Sequence, residues 1–400
     1  MSNMDILSKA ASILAKYPLC DHCLGRLFAS RGFGLDNAER GKAIKDLLLM
    51  QNYDASTGSI NDAAVVEALA RSGHKGALML LRKLGRSVET AECAICGGLF
   101  RRLNVGEVVN NALAKIRELN VDFETIEVGV SVDKELMSRE VKISLEFGLT
   151  SSESIKRELN RIIGRELVRA LGKVHSTKPD IVVQVSTADW SVKVSQMPLY
   201  IEATYRKLIR GIGQVGPLSI ESLASGALNR LGAGRVILHA SGSESPKVRV
   251  LGGGRLSVIE ASTPKTYRVA PGKFAANPPL AEFNVMGRVD KARVRYVKDS
   301  SRVRRLYRVL ARLSQVVGED QLKSLEEYFR NRQVRLGKKV KLVYSLKAVG
   351  FGEFVEFFIV AQGGLSIGGL FRGDTEPSIP GLLGVGVEVI EVDILGEAHA

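Results

Sequence analysis

The sequence predicts an α+β protein of several domains, and three observations carry that expectation. Two Cys-x-x-Cys pairs bracket a helical N-terminal stretch, a central segment alternates helix and strand, and the second half is rich in strands. Boundaries near residues 105 and 197 give a metal-clipped helical module (1–105), a basic α/β domain (106–197) and a larger mixed-sheet domain (198–400). Against 43 Asp plus Glu the chain sets 57 Lys plus Arg, a formal charge of +14, so an anionic partner is expected, nucleic acid first. No apolar run approaches the roughly 18 residues of a membrane span, and the N-terminus lacks the apolar core of a secretory signal. A soluble, cytoplasmic protein is the expectation.

In the first module, apolar residues at helical spacing predict helices over Asp36 to Met50 and Asp62 to Leu84. Cys20-Asp21-His22-Cys23 and Cys93-Ala94-Ile95-Cys96 flank them, and each two-residue spacer lets both thiolates reach one face of a tetrahedral ion. Four cysteines in two matched knuckles predict a structural zinc site with no open catalytic position. A disulfide framework does not fit this spacing. A redox pair fits poorly, because Cys20 follows Tyr17-Pro18-Leu19 and the second pair runs into a Gly97-Gly98 turn. His22 is a candidate extra ligand, with a solvated loop histidine as the plainer reading.

The central domain reads as a helix at Val108 to Leu119, a strand near Ile126 to Val132 and a helix after Thr150. Thr150 and Glu153 have capping-box spacing, and Ile155, Leu159, Ile162, Ile163, Leu167 and Leu171 form one apolar face. Strands follow at Ile181 to Val185 and Trp190 to Val194.

Beyond Pro198 strands are expected at Leu199 to Thr204, Arg235 to Ala240, Lys247 to Leu251, Arg255 to Glu260 and Glu282 to Val297. Gly252-Gly253-Gly254 reads as a hairpin turn. Helices are expected at Arg302 to Gln315 and Asp320 to Asn331, then strands at Lys338 to Leu346 and Phe354 to Val360. Between Arg288 and Arg312 stand ten basic residues against Asp290 and Asp299, with Tyr296 and Tyr307 among them. On a strand Lys291, Arg293 and Arg295 would share a face and make a ladder of phosphate contacts; a solvated surface is the alternative. Tyr205 to Gly211 is a second, equally basic stretch. Gly232-Ala233-Gly234 lacks the third glycine of a dinucleotide fingerprint and no phosphate-binding GxxxxGK[ST] loop exists, so no organic cofactor is expected.

Leu19-Cys20-Asp21-His22-Cys23-Leu24-Gly25-Arg26-Leu27-Phe28, the later cysteine pair, Tyr205-Arg206-Lys207-Leu208-Ile209-Arg210-Gly211-Ile212-Gly213-Gln214 and Ala361-Gln362-Gly363-Gly364-Leu365 together resemble archaeal and eukaryotic tRNA pseudouridine synthases of the "Pus-ten" type. The resemblance spans essentially the whole chain. It implies a zinc-bearing accessory half with a THUMP-like domain at 106–197, a pseudouridine-synthase-like domain at 198–400, and tRNA as the partner. The family activity it implies is isomerisation of T-loop uridines 54 and 55. That chemistry uses an aspartate that attacks the flipped nucleotide, a tyrosine beside the base and a basic residue paired with the aspartate. Tyr307 and Tyr344 resemble the family's pocket tyrosines, and Arg249, Arg302, Arg304 and Arg305 are the basic residues expected to hold substrate.

Where the family reads Gly-Arg-Glu-Asp-x-Asp-x-Arg-x-Leu-Gly, this chain has Gly242-Ser243-Glu244-Ser245-Pro246-Lys247-Val248-Arg249-Val250-Leu251-Gly252, which puts the nucleophile position on Ser245. Ser243 replaces the basic residue, Gly368 stands where a lysine is usual, and Gln214-Val215-Gly216-Pro217-Leu218 alters the segment after the basic motif. Three readings follow. The chain is an active synthase using Asp290 or Glu244, a catalytically silent tRNA binder acting as a chaperone or as partner of another modifying enzyme, or a different enzyme on a THUMP-like domain. The missing cofactor fingerprint counts against the third.

Overall fold

The computed structural model describes residues 5–242 and 244–399, so Ser243 lies outside the described residues. The chain divides into two compact units, one of Met1–Asn120 with Glu124–Ser195, the other of Val121–Phe123 with Gln196–Ala400.

The first unit contains, in order, helices α1 (Ile6–Lys16), α2 (Asp21–Leu27) and α3 (Asn37–Asn52), a short hairpin of β1 (Tyr53–Asp54) and β2 (Ser59–Ile60), then α4 (Ala63–Arg71), α5 (Lys75–Lys83), α6 (Leu99–Arg102) and α7 (Val105–Leu119). β3 (Thr125–Ser131), α8 (Lys134–Glu146), α9 (Ile155–Leu171), β4 (Val174–His175), β5 (Ile181–Ser186) and β6 (Val192–Gln196) complete it. The sheet order is β4-β3-β5-β6, with β3 parallel to β4 and β5. Ile126, Val128 and Val130 alternate inward from β3, and α9 covers them with Leu159, Ile163 and Leu167. Helices α2 and α3 meet backbone to backbone. A Cβ on Gly25 would stand 1.8 Å from the Asn37 carbonyl oxygen, and one on Gly41 1.9 Å from that of Asp21.

Three expectations change here. The stretch Asp62 to Leu84 is two helices, because Gly73 takes φ +77° and His74 starts a new helix by accepting the Ala77 N–H at 3.3 Å. Helix α9 is capped by Ser154, whose hydroxyl accepts the Arg157 N–H, while Glu153 instead holds Asn37 and Arg161. Helix α8 was not anticipated. Only Leu136, Glu140 and Ile143 of it are buried, too sparse an apolar stripe to stand out.

The second unit contains β7 (Leu199–Lys207), α10 (Ile220–Ala227), β8 (Arg235–Ala240), β9 (Val248–Ser262), β10 (Gly272–Ala275), β11 (Ala281–Val289), α11 (Ala292–Lys298) and β12 (Val303–Leu313). It continues with α12 (Glu319–Phe329), β13 (Arg332–Leu336), β14 (Lys339–Phe351), β15 (Phe354–Gln362), α13 (Ile367–Arg372), α14 (Ile379–Leu383) and β16 (Val387–His399). One sheet joins these strands in the order β10-β11-β7-β9-β16-β12-β15-β14-β13, and β8 pairs with β9. β16 is parallel to β9 and antiparallel to β12.

The segment expected as a helix at Arg302 to Gln315 is β12, paired on both sides. Val303, Arg305, Tyr307, Val309, Ala311 and Leu313 alternate inward, so the period of two prevails over the helical spacing of its leucines. The triple glycine is no hairpin turn. It is a bulged part of continuous β9, where Cβ atoms on Gly252 and Gly254 would meet the carbonyl oxygens of Leu395 at 1.9 Å and Tyr205 at 2.7 Å. The expected strand Glu282 to Val297 stops at Val289, and α11 takes over. The ladder therefore dissolves. Lys291, Arg295 and Lys298 follow helical spacing and are exposed, whereas Arg293 turns to Glu202 at 2.7 Å.

Backbone contact at the α2–α3 crossing sets a test. Gly41→Ala is expected to lower stability by about 1–3 kcal/mol, since a methyl there must push backbone apart. Gly226→Ala, in a helical position with open space around it, is expected to be neutral or to stabilise by about 0.5–1 kcal/mol. Equal melting temperatures for Gly41→Ala and wild type would show that the crossing is loose.

Candidate functional site

A cleft of about 690 Å³ opens in the second unit between the 241–248 loop, β12, the 364–372 segment and β16. Its floor is a buried charge network centred on Arg255, which is fully buried on β9. Arg255 pairs with Glu244, donates to Glu397 at 2.8 Å, and donates to the carbonyls of Ser241 at 2.6 Å and Gly242 at 3.0 Å. From β12, Arg305 donates to the same Glu397 at 2.7 Å, to the Ser241 carbonyl at 3.0 Å and to the Tyr307 hydroxyl at 3.1 Å. Burial raises the Glu397 carboxyl. The His399 ring at 3.5 Å and the two guanidiniums outweigh that and hold it at about 2. Burial pushes the Tyr205 phenol up, so it stays protonated and donates to Glu244 at 2.8 Å.

Within the basic motif Tyr205 to Gly211, Tyr205 and Lys207 serve this floor, whereas Arg206 pairs with Glu282 and Arg210 with Asp393 away from it. Lys207 is fully buried and donates to the carbonyls of Ile212 at 3.0 Å and Ser245 at 3.2 Å. Desolvation lowers its amine from the ordinary lysine value, against the pull of Glu244 at 3.7 Å. The Gly211 N–H donates to the Pro246 carbonyl at 2.8 Å, so the motif fixes the loop that carries Ser245. Ser245 itself is exposed in the cleft, and its hydroxyl accepts the Lys247 N–H at 3.2 Å.

Among the other expected substrate-holding residues, Arg305 and Tyr307 line the cleft with Ser245. Arg249 does not. It faces the other side of the sheet, where it donates to buried Asp393 at 2.8 and 2.9 Å beside Arg210 at 2.7 Å and Arg308 at 3.1 Å. Burial raises the Asp393 carboxyl, but these guanidiniums bring it below the usual carboxylate range. Arg304 lies over the Tyr344 ring at 4.4 Å, and exposed Arg302 pairs with Asp299 at 3.1 Å; neither arginine nor Tyr344 lines the cleft. One residue escaped the sequence reading. A guanidinium nitrogen of Arg372 lies 2.9 Å from where a Cβ on Gly368 would stand, so a cation reaches the expected lysine position from one helical turn away.

In the first unit Cys20, Cys23, Cys93 and Cys96 place their sulfurs within 4.8 Å of one another, with Cys20 and Cys96 3.7 Å apart. A tetrahedral ion with metal–sulfur bonds of about 2.3 Å has sulfur–sulfur edges of roughly 3.8 Å, whereas a disulfide needs about 2.05 Å. The sulfurs therefore fit a metal ion. Cys20 caps α2 and Cys23 lies on it, while the second pair turns through Gly97 and Gly98 at φ +52° and +73°. The Ala94 N–H donates to the Pro18 carbonyl at 2.8 Å and joins the two knuckles. His22 is neither a ligand nor a solvated loop residue: it lies on α2, stacks on Phe100 at 4.1 Å and bonds Glu158 at 2.8 Å.

The sequence profile described as "Pus10 THUMP domain, archaeal" matches residues 108–186, and that described as "Pus10, C-terminal" matches 188–396. A protein of Caldivirga maquilingensis named tRNA pseudouridine synthase Pus10 is 46% identical, covering 99% of this chain and 100% of the relative. Its namesake from Vulcanisaeta distributa is 39% identical over 97% and 98%. Among solved structures, a chain of the archaeal box H/ACA sRNP Nop10-Cbf5 complex is 19% identical, with 48% and 46% covered and a TM-score of 0.29, too partial an overlap to carry an argument.

The Glu397 carboxylate gives a pH test. Its pKa is depressed in the folded state, so the stability it contributes is complete above about pH 4.5 and is lost as pH falls toward about 2. Glu397→Gln leaves two buried guanidiniums short of charge and is expected to cost about 3–5 kcal/mol near neutrality. Urea unfolding at about pH 7 and about pH 2.5 should show that cost shrinking with acid. A cost that does not change with pH would contradict the pairing.

Proposed function

Because the chain belongs to the Pus10 family of tRNA pseudouridine synthases, we propose that it binds tRNA, receives a T-loop uridine at position 54 or 55 in the Tyr307 cleft, and does not isomerise it. One observation carries the silent reading: the nucleophile position presents the Ser245 hydroxyl, and among the described residues no carboxylate, imidazole or amine is hydrogen-bonded to it. A hydroxyl at neutral pH needs such a base to attack. Two carboxylates line the cleft. Glu244 is bound by Arg255 and Tyr205 and is 2% exposed. Glu388, on β16, lies across from Arg312 and makes no hydrogen bond to Ser245. Asp290 does not line the cleft.

The exposed face Lys291, Arg295 and Lys298 of α11, with exposed Arg302 and Arg304, supports contact with phosphates. The four cysteines support structural zinc, since an all-thiolate set leaves no open position for catalysis.

The test is pseudouridine mapping on an unmodified tRNA transcript alongside a binding titration. Saturable binding without isomerisation is expected, and modification at 54 or 55 by the wild type would overturn the silent reading. Replacing Lys291, Arg295 and Lys298 together by alanine should weaken binding and flatten its salt dependence by up to about three phosphates' worth. Ser245→Asp alone should stay inactive, because Arg372 is held by Asp374 at 2.8 Å and Arg305 by Glu397.

For the metal, purified protein should contain one zinc per chain, and chelation should unfold the N-terminal helices, because closing the chain between residues 23 and 93 couples binding to folding. Absence of zinc by elemental analysis, or a melting curve indifferent to chelator, would reject it.

A further inference from the structure

The loop between α2 and α3 carries a feature that neither the cleft nor the metal site uses. Phe33 is fully exposed, at a relative accessibility of 108%. It sits between Gly32 at φ +74° and Gly34 at φ +80°. An apolar ring at such a position is costly to leave in water unless something covers it. The loop is nonetheless held in a defined shape. Arg40, 7% exposed, donates to the carbonyls of Arg31 and of Leu35 at 2.8 Å, and to the Asn37 side chain at 2.6 Å. Both ends of the turn are thus tied to one buried guanidinium. Leu35 closes the turn, lying 2.8 Å from where a Cβ on Gly32 would be.

The same loop walls a cleft of about 470 Å³, bounded across from it by Ser151, Ser152, Arg157 and Arg161 at the start of α9. Ser30 donates to the Ser151 hydroxyl at 2.9 Å across it. The carboxylate in this cleft, Glu153, is already paired with Arg161 at 3.1 Å and accepts the Asn37 amide N–H at 2.6 Å. That leaves exposed Arg157 and, on the loop, Arg31 as charges facing solvent.

We propose that Phe33 is a stacking platform for one unpaired nucleotide of the RNA partner, whose phosphate is taken by Arg157 in the adjoining cleft. The proposal rests on the tRNA-binding reading above. A ring presented on a braced loop offers a face to any base, and the cation in the cleft that the same loop walls suits the backbone that accompanies a base. A protein carboxylate would also pair with the arginine, and the chain's formal charge of +14 is what favours a polyanion in that place.

The full-length protein is titrated with unmodified tRNA as wild type, Phe33→Ala, Phe33→Leu and Phe33→Trp. Because base stacking needs a π face, alanine and leucine are both expected to weaken binding about tenfold, while tryptophan stays within about twofold of wild type. The Phe33→Trp protein should also show emission quenched by RNA beyond that of wild type. Arg157→Ala should reduce the slope of log affinity against log salt by about 0.7, the value for one phosphate of a single strand. If wild type binds and Phe33→Ala binds equally well, the platform is wrong while tRNA binding stands. Leucine matching phenylalanine would point to apolar packing against a protein and overturn it too. Absence of saturable wild-type binding would bring down the RNA reading itself, and this proposal with it.

Discussion

Burying a guanidinium without solvent forces the structure around it to supply both charge and acceptors, and Arg255 is the place where this constraint shapes the second unit. It is fully buried, so Glu244, Glu397 and the carbonyls of Ser241 and Gly242 must converge on it. Those partners come from the loop before β9 and from β16, and Glu397 also binds Arg305 of β12. The positions of three strands and one loop are therefore coupled through a single cation. Lys207 adds a second tether, holding the Ser245 carbonyl from below. Ion pairs of Arg255 and Arg305 with Glu244 and Glu397 cross the floor of the cleft. Among the described residues the Ser241 hydroxyl and one carboxylate oxygen each of Glu244 and Glu397 make no hydrogen bond, and the Ser245 hydroxyl meets the Lys247 N–H.

The first unit repeats the device with a different hub. Arg26 is fully buried on α2, reaching Glu140 at 3.2 Å, Glu158 at 3.4 Å and the Cys23 sulfur at 3.4 Å. It links the cysteine knuckle to α8 and α9, and its own carbonyl accepts the Glu153 N–H at 3.0 Å. The glycines at the α2–α3 crossing make room for this arrangement, since a side chain at Gly25 or Gly41 would separate the helices that carry Cys23 and Arg40. The cysteine cluster, the helix crossing and the braced Phe33 loop are thus consecutive parts of one packed assembly.

Legibility in the sequence followed locality. The cysteine cluster was readable because two spacers of two residues restrict geometry whatever the rest of the chain does. β8, α12 and β15 were readable from period and punctuation. β12 was not, because Leu306, Leu310 and Leu313 match a helical face as well as a strand, and only pairing with β15 and β16 decides. The triple glycine looked like a turn because its true role, close approach of β9 to Leu395 and Tyr205, depends on residues far away in sequence. For the site, the family resemblance nominates Ser245 and Tyr307, and both line the cleft. The inward role of Tyr205 and Lys207 was hidden, since a basic run reads alike whether its cations meet phosphates or buried carbonyls. Arg372 was hidden for the related reason that a cation can reach a position from one turn away.

The placement of β16 imposes an order on biosynthesis. It is translated after every other strand of its sheet, yet it lies between β9 and β12 and is the sole bridge joining the two halves of that sheet in the strand order. Until it emerges, Arg255, Arg305, Arg249 and Arg308 lack the carboxylates of Glu397 and Asp393 that neutralise them. A nascent chain on the ribosome therefore holds two open sheet edges, with Arg255 and Arg308 paired only to Glu244 and Glu356. A chain that stops upstream of Asp393 lacks Ile394 of the cleft wall and the Glu397 carboxylate that binds Arg255 and Arg305.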